Sequence, residues 1–282
     1  MTIDKFTLET TTSKLAMTVE GDSTEVILLL HGGPGVPDYL EEVSRMLTPQ
    51  FKTVRFDQRG VGQSKAINNQ YSMKDYISDI DAVIDFLNVD KVHVFGHSWG
   101  GLLALIYTSS RPKRVKSLFQ CSPSSGTGTI WQLMEREVME HNRSQCSNIE
   151  WLRLGLNSLF GALGHNSSYQ RVFAQVWKNY FKKPSEAPEV DTEWLKGVRS
   201  AAINKTRKEV LKLNYNDIVQ KIINMTIPFM ITYGAYDIYG KTRKDNIERL
   251  ANGEYYEFSN AGHLPWIQDP EDFKKLIGRF YK

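Results

Sequence analysis

The sequence contains few of the features that mark secreted, membrane or nucleic-acid-binding proteins. Its 282 residues include two cysteines, Cys121 and Cys146, which are too few for a disulfide framework and form no C-x-x-C pair. The N-terminal residues are polar and lack the apolar segment of a signal peptide. No apolar run approaches the roughly 20 residues of a membrane span. Lysine and arginine are scattered and the net charge is +3, so we expect a cytoplasmic protein with no membrane or nucleic-acid partner.

Signatures of a bound cofactor are also missing. No group of cysteines and histidines has the spacing of zinc ligands. Neither G-x-G-x-x-G nor the phosphate-binding P-loop occurs in the sequence. We therefore expect chemistry that side chains perform by themselves, with no metal and no cofactor.

Strand patterns alternate with helix patterns toward both ends of the chain. The run from Val26 to Leu30 is continuously apolar, which is typical of a strand buried on both faces of a parallel sheet. Ser72 and Asp75 have the spacing of a capping box at a helix start. The alternation predicts an α/β protein with a mostly parallel sheet flanked by helices. Strands are predicted at 4–9, 14–20, 26–30, 51–56, 92–95, 115–121, 227–233 and 255–258, and helices at 38–47, 72–87, from just after 98 to about 111, at 242–250 and from 270 onward.

The middle of the chain has a different pattern. After a stretch rich in serine, glycine and threonine at 124–129, residues 130–215 show helical periodicity and no strand-like run. We predict a helical cap at 123–215 inserted into a core domain formed by 1–122 and 216–282. A cap above the sheet would shape a substrate pocket and exclude water from it.

The stretch from Gly96 to Gly100 has the spacing Gly-x-Ser-x-Gly, with Ser98 at its centre. A serine in this pattern lies on a tight strand-to-helix turn that exposes its hydroxyl. The turn crowds the backbone on both sides, where residues without a Cβ fit best. The helix that follows directs free N–H groups toward developing negative charge. The pattern predicts Ser98 as a nucleophile; the alternative is a glycine-rich turn with a buried serine.

Two loops follow predicted strands in the first half of the chain. His31-Gly32-Gly33-Pro34-Gly35 can bring a backbone N–H close to a reacting oxygen, and the alternative is a simple turn into the next helix. Together with the amide of Trp99, the amide of Gly33 would form an oxyanion hole. In the loop 57–64, Asp57 and Arg59 are near enough in sequence to pair and hold the loop in shape.

A serine nucleophile needs a base and a carboxylate that orients the base. His263 follows a predicted strand and a glycine, and it is the expected base. Asp237 also follows a strand and is the expected carboxylate, because Asp245 falls within a helix and Asp269 is the expected N-cap of the last helix, before a proline at its first position. The remaining histidines are expected to support loops, to lie in a strand or to pack in the cap: His31, His97, His93, His141 and His165.

These residues define a reaction. His263 takes the proton of Ser98 as the serine attacks a carbonyl carbon, and Asp237 orients the imidazole. The Gly33 and Trp99 amides stabilise the oxyanion, and water later releases the acyl group. The sequence therefore predicts a serine hydrolase that acts through an acyl-enzyme.

The motifs together resemble those of a known family. They are HGGPG at 31–35, DQRGxGxS at 57–64, GHSWGG at 96–101, the aspartate at 237 and GH at 262–263. In these features the chain is similar to the proline iminopeptidases, a family of serine peptidases with the α/β-hydrolase fold. The resemblance implies an aminopeptidase that releases N-terminal proline from small peptides. It implies Ser98, Asp237 and His263 as the triad and Gly33 and Trp99 as the oxyanion hole, and we assign substrate binding to Gly32, Trp99 and Glu209.

One position departs from that family. The family binds the free α-ammonium of its substrate with one acidic side chain in the cap and another soon after the triad aspartate, where this chain has Ile238. The cap offers other carboxylates: Glu186, Glu189, Asp191, Glu193 and Glu209. Because a buried ammonium without a carboxylate is costly, hydrolysis of a small ester, lactone or amide without a free amine stays open as an alternative. A non-catalytic binding protein with the same fold is a third hypothesis.

Overall fold

A nine-stranded sheet runs through the protein, whose computed structural model describes residues 2–282. Its strands are β1 (Ile3–Glu9), β2 (Ser13–Glu20), β3 (Val26–Leu30), β4 (Lys52–Phe56), β5 (Lys65–Ala66), β6 (Val92–His97), β7 (Val115–Cys121), β8 (Phe229–Gly234) and β9 (Glu254–Phe258). Their order is β1-β2-β4-β3-β6-β7-β8-β9, with β5 beside β2. β2 pairs antiparallel with β1, β4 and β5, and every other pair is parallel. The predicted hairpin and mostly parallel sheet are confirmed.

Helices cover both faces of this sheet. They are α1 (Glu41–Leu47), α2 (Met73–Phe86), α3 (Trp99–Ser110), α4 (Thr129–Gln145), α5 (Asn148–Ala162), α6 (Asn166–Asn179), α7 (Thr192–Leu195), α8 (Ser200–Val210), α9 (Tyr215–Ile223), α10 (Lys241–Arg249), α11 (Pro265–Gln268) and α12 (Pro270–Phe280). Successive side chains of a strand point to opposite faces. Leu28 and Leu30 of β3 therefore pack with α2, α3 and α9, whereas Ile27 and Leu29 pack with α1 and α12.

The N-cap residues predicted for α2 and α12 lie at the starts of these helices, but only the first makes a side-chain capping bond. The Ser72 hydroxyl accepts a hydrogen bond from the Asp75 amide, and the Asp75 carboxylate accepts one from the Ser72 amide, so the predicted capping box of α2 is confirmed. Asp269 precedes Pro270 at the start of α12, but its side chain accepts no capping bond. The predicted N-cap position of Asp269, before a proline at the first position of the helix, is confirmed. The side chain makes no capping bond because the Asp269 backbone, at φ −144° and ψ 61°, departs from the β-region conformation typical of a capping residue.

Two element boundaries differ from the prediction for local reasons. Helix α1 begins at Glu41 instead of residue 38. Before it, the Asp38 side chain accepts a bond from the Leu40 amide and the Tyr39 hydroxyl accepts one from Gly32. Strand β8 begins at Phe229 instead of residue 227, because Pro228 has no N–H to donate to a neighbouring strand.

Asp57 and Arg59, which are near enough in sequence to pair, have other partners in the structure. Arg59 is fully buried, and its guanidinium donates to both carboxylate oxygens of Asp79 on α2 at 2.8 and 2.9 Å. The Asp57 carboxylate instead accepts bonds from the amides of Asp38 and Gln63 at 2.8 and 2.9 Å. A buried guanidinium must satisfy all its donors, and the interior of the protein offers Arg59 more acceptors than its own loop does.

Between β7 and β8 the described chain is helical and contains no strand. Helices α4 to α8 occupy the segment that the sequence predicts as a cap, and we call residues 123–215 the cap segment. The division into a core of 1–122 and 216–282 and a cap of 123–215 stays a prediction. Within residues 2–282, no helix has both the length and the apolar character needed to cross a membrane.

Candidate active site

Ser98 lies on a strained turn between β6 and α3. Its backbone has φ 54° and ψ −121°, a region that residues with a Cβ rarely occupy. A Cβ at Gly96 would lie 2.3 Å from the Gly100 carbonyl oxygen, and one at Gly100 would lie 2.0 Å from the Leu30 carbonyl oxygen. The two glycines therefore permit the close approach that this turn requires. Backbone strain of this kind concentrates at functional sites.

His263 and Asp237 form a buried pair. Asp237 follows β8 and His263 follows the adjacent parallel strand β9, so both lie where neighbouring strands end. His263 Nδ1 and Asp237 Oδ1 are 2.8 Å apart, and neither side chain is exposed to solvent. Burial by itself would raise the pKa of Asp237, but the charge of the adjacent His263 and its hydrogen bond to the carboxylate bring that pKa below its usual value. The pair therefore has an ionised carboxylate that can orient the imidazole.

The other ring nitrogen of His263 is unoccupied. His263 Nε2 is buried and has no hydrogen-bond partner among the described residues. The Ser98 hydroxyl lies 3.2 Å from the hydroxyl of Tyr239, which lies 3.0 Å from the Ser124 hydroxyl. Burial raises the pKa of Tyr239, so its phenol stays protonated. Catalytic hydrogen bonds are often absent or loose in a site without substrate, and a buried nitrogen without a partner is itself unusual.

Two backbone amides near Ser98 are available to a ligand. Among residues 2–282, the amides of Gly33 and Trp99 have no hydrogen-bond acceptor, whereas the Gly32 amide donates to the Tyr39 hydroxyl at 3.0 Å. Trp99 is the first residue of α3, so its amide has no partner in the preceding turn. Gly33 has φ 58° and lines the same cavity as Ser98.

A buried network holds both of these amides in place. The side chain of Gln58 donates to the His31 carbonyl oxygen at 2.7 Å and accepts from the Trp99 indole at 2.8 Å. The Gln58 amide donates to His31 Nε2 at 3.0 Å. His31 therefore supports its loop, as its position in the sequence suggests. The glutamine of the loop 57–64 joins the Gly33 loop to the start of α3.

The cavity above Ser98 is small and mostly apolar. Its volume is about 270 Å³. Helices α4 and α6 of the cap segment supply much of its wall, so cap and sheet enclose it together. The lining residues are Gly33, Pro34, Val36, Ser98, Trp99, Ser124, Trp131, Met134, Glu135, Val138, Tyr169, Val172, Phe173, Val176, Tyr180, Ile203 and Tyr239.

Glu135 is the one carboxylate among these lining residues. One of its oxygens accepts from the Trp131 indole at 2.8 Å. Arg207 on α8 donates to both oxygens, at 2.5 and 2.7 Å. Glu135 thus presents a charge to the cavity, and a half-exposed arginine already partly compensates that charge.

A comparison with protein families identifies the architecture. Residues 25–270 match the family model described as the alpha/beta hydrolase fold. The chain belongs to the α/β-hydrolase family. The fold class predicted from the sequence is therefore confirmed.

Relatives of this α/β hydrolase are similar over almost their whole length. The proline iminopeptidase of Heyndrickxia coagulans is 26% identical over 274 residues, which cover 92% of this chain and 91% of the relative. The proline iminopeptidase of Lactobacillus delbrueckii subsp. lactis is 25% identical over 275 residues, with coverages of 92% and 91%. The resemblance to proline iminopeptidases noted from the motifs is confirmed.

Solved structures with similar folds include other hydrolases. A hydrolase from Pseudomonas aeruginosa PA01 superposes with a TM-score of 0.69 at 18% identity, covering 99% of this chain and 98% of that one. The naproxen esterase of Bacillus subtilis superposes with a TM-score of 0.69 at 16% identity, with coverages of 100% and 92%. At these identities the likeness concerns the fold alone.

The structure does not bring every predicted site residue of this hydrolase to the cavity. Ser98, Trp99 and Gly33 line it, but Gly32 and Glu209 do not. The Gly32 amide is already bonded to Tyr39. Glu209 pairs with Lys212 and lines a separate pocket beside Tyr71 and Ser72. The residue that α8 directs to the cavity above Ser98 is Ile203.

Sequence reasoning missed Glu135. It lies within the helical run 131–138, one turn from Trp131 and on the same stripe as Met134 and Val138. A single carboxylate within an apolar stripe of a cap helix is the sequence pattern that could have indicated this residue. The other cap acids are absent from the lining, and most have partners elsewhere: Glu186 with Lys183, Glu193 with Lys196, and Asp191 as the N-cap of α7.

Proposed function

We propose that this α/β hydrolase is a serine hydrolase that acts through an acyl-enzyme, with Ser98, His263 and Asp237 as its triad. The observation that carries the proposal is the position of Ser98 on a strained turn, near a buried His263–Asp237 pair whose Nε2 is unoccupied. In the proposed reaction the Ser98 hydroxyl donates its proton to that nitrogen.

The reaction then proceeds in two halves. As Ser98 Oγ bonds to the carbonyl carbon of the substrate, its proton passes to His263 Nε2, and Asp237 stabilises the imidazolium. The Gly33 and Trp99 amides donate to the oxyanion, and loss of one such donor costs on the order of a hundredfold in turnover. His263 returns the proton to the leaving group. Water then loses a proton to His263 and attacks the ester of Ser98, which releases the acid and restores the serine.

We further propose that the substrate is a small peptide from which an N-terminal residue, preferably proline, is released. Two observations support this choice. Relatives named proline iminopeptidase match the chain over more than nine-tenths of both lengths. The small apolar cavity contains one carboxylate, Glu135, which would bind the free α-ammonium of the substrate. Glu135 on the cap segment would take the role that the sequence suggested for Glu209.

A second candidate is hydrolysis of small esters or amides that lack a free amine. The observation in its favour is the bidentate contact between Glu135 and Arg207. A carboxylate whose charge is already compensated attracts an ammonium less strongly. The same triad and oxyanion hole would serve this reaction.

Rates with three substrates distinguish the two candidates. Proline p-nitroanilide, its N-acetyl form and p-nitrophenyl acetate are compared with the wild-type protein and Ser98→Ala. The aminopeptidase predicts strong preference for the free amine, and turnover of the ester alone contradicts it. Ser98→Ala should abolish all turnover, and activity that persists in this variant would refute Ser98 as the nucleophile.

Glu135→Gln tests the ammonium site, with Glu209→Gln as the matched control. Because a charge-assisted hydrogen bond contributes about 1.5–3 kcal/mol, Glu135→Gln should lower kcat/KM for proline p-nitroanilide by about tenfold to hundredfold. The rate with p-nitrophenyl acetate should stay close to wild type. Glu209→Gln should leave both rates unchanged. Equal effects of the two substitutions would refute the role of Glu135.

A further inference from the structure

A chain of hydrogen bonds runs beneath Ser98, from the Gly32 loop to the main chain of His263. The Gly32 amide donates to the Tyr39 hydroxyl at 3.0 Å, and that hydroxyl lies 2.6 Å from His97 Nδ1. His97 Nε2 lies 2.8 Å from the carbonyl oxygen of His263. His97 is fully buried. The chain therefore connects the loop that carries Gly33 to the loop that carries the base.

The direction of each bond follows from the chemistry of the groups. A carbonyl oxygen can only accept, so His97 Nε2 must carry a hydrogen. Burial, and then the neighbouring His263, lower the pKa of His97 well below its usual value, so its ring is neutral. Nδ1 is therefore an acceptor. The Tyr39 oxygen accepts from Gly32 and has its own hydrogen free for His97.

Close packing leaves these groups little freedom. A Cβ at Gly32 would lie 2.2 Å from the Tyr39 hydroxyl and 2.8 Å from Ser98 Cβ. The Tyr39 ring stacks on Trp266 with centroids 6.4 Å apart. The His97 ring lies 4.7 Å from the ring of His263. A shift of His97 would therefore move the Gly32 loop, the base, or both.

We infer that Tyr39 and His97 are positioning residues, which hold the oxyanion loop at Gly32–Gly33 and the base His263 in one fixed relation around Ser98. This inference rests on the proposed function. The two side chains contact no substrate and transfer no proton. They act on the geometry in which Ser98, His263 and the Gly33 amide meet the reacting carbonyl, and a displacement of about 1 Å in such geometry can cost about a hundredfold in rate.

The geometry has a spectroscopic test that does not depend on activity. NMR of the imidazole nitrogens of isotope-labelled wild-type protein should show His97 as the neutral tautomer protonated at Nε2. Tyr39→Phe removes the hydrogen bond to Nδ1 and should shift the Nδ1 resonance. A His97 protonated at Nδ1, or a resonance unchanged by Tyr39→Phe, overturns the inference.

The kinetic test compares His97→Leu with His97→Gln, and uses His93→Leu on the same strand as the matched control. A serine-reactive phosphonate titrates the active sites, and rates with the best substrate are expressed per active site. A smaller fraction of folded protein then does not lower the measured kcat. His97→Leu should lower kcat by about tenfold to hundredfold with little change in KM. His97→Gln keeps a donor for the His263 carbonyl and should recover most of the rate. His93→Leu, which loses a bond to Ser117, should keep the wild-type kcat.

A double variant tests whether the two side chains act as one unit. If they do, Tyr39→Phe added to His97→Leu should lower kcat little further, because residues in one network are not additive. Fully additive losses, or a kcat for His97→Leu within about twofold of wild type, overturn the positioning role alone. A wild-type protein that the phosphonate does not label at Ser98 overturns the proposed function itself.

Discussion

Ser98 keeps its unfavourable backbone conformation because its neighbours fix it from several sides. Its amide donates to the Cys121 carbonyl oxygen at 3.0 Å. Its own carbonyl oxygen accepts from the amides of Gly101 at 2.9 Å and Ser124 at 3.0 Å. Strained conformations persist where the surrounding structure determines them in this way. The strands β6 and β7 and the start of α3 thus hold Ser98 at the wall of the cavity.

At this scale we predict opposite effects for two glycine substitutions. Gly100→Ala places a methyl group 2.0 Å from the Leu30 carbonyl oxygen, so it should cost about 3 kcal/mol or more of unfolding free energy and abolish turnover. The control is Gly155→Ala in the middle of α5, where a Cβ would meet no atom within 4 Å. That change should stabilise the protein by about 0.5–1 kcal/mol. Urea unfolding measures the free energy of unfolding of both variants. Equal values for Gly100→Ala and Gly155→Ala would contradict the prediction.

Helix α2 holds the loop that contains Gln58. Arg59, adjacent to Gln58, donates to Asp79 in the middle of the helix and to the backbone carbonyls of Gln70 and Asp75. Burial raises the pKa of Asp79, and the charge of Arg59 opposes that rise. Helix α2 thus fixes the loop 57–64 through the buried Arg59–Asp79 ion pair. It does so although it contains no residue of the proposed triad.

Helix α2 contains one carboxylate in a buried ion pair and another in a surface pair, which allows the two to be compared. Asp79→Ala leaves Arg59 as a buried charge without its carboxylate, and should cost about 3–5 kcal/mol. Asp85→Ala breaks the contact with Arg114, in which the Asp85 side chain is 65% exposed, and should cost at most about 1 kcal/mol. Thermal unfolding checks the difference. An Asp79→Ala variant as stable as Asp85→Ala would show that Arg59 finds other partners.

Across the whole molecule, the cap segment contacts the loops that contain the proposed triad. The carbonyl oxygen of Tyr180, just after α6, accepts from the His263 amide at 2.9 Å, and the two rings lie 4.6 Å apart. Glu137 on α4 accepts from the amides of Gly240 and Thr242 at 2.9 and 3.0 Å, where α10 begins. Both contacts join the cap segment to chain that follows β8 or β9, so the cap segment and the loops of the proposed triad are placed together.

The Glu137 contact gives a prediction at this scale. Glu137→Ala removes a carboxylate from the N-terminus of α10, and should cost about 1–2 kcal/mol. KM for the best substrate should rise because the wall of the cavity loosens. Glu140→Ala, an exposed position on the same helix, should change neither quantity. An unchanged KM in Glu137→Ala would show that this contact does not help to shape the cavity.

Local patterns in the sequence were enough to predict much of this architecture. Apolar runs such as Val26–Leu30, the capping box of Ser72 and the Gly-x-Ser-x-Gly turn depend on residues close together in the chain. Their alternation determines a mostly parallel sheet, and the places where strands end bring Ser98, Asp237 and His263 to one edge of it. The structure places the predicted histidine and aspartate 2.8 Å apart, and their catalytic roles stay a prediction.

Only the tertiary structure decided which side chains face one another across the cavity. Glu135 and Arg207 lie on different helices, and Arg59 lies in a loop whereas its partner Asp79 lies on α2. No local spacing in the sequence indicates such pairs. Glu209 has the right charge and lies in the right segment, but α8 directs it toward Tyr71 and Ser72 and away from the cavity above Ser98. The bonds from Gly32 through Tyr39 and His97 to His263 span most of the chain. Each of these depends on how helices pack on the sheet, whereas the sequence by itself determined the sheet and the turn at Ser98.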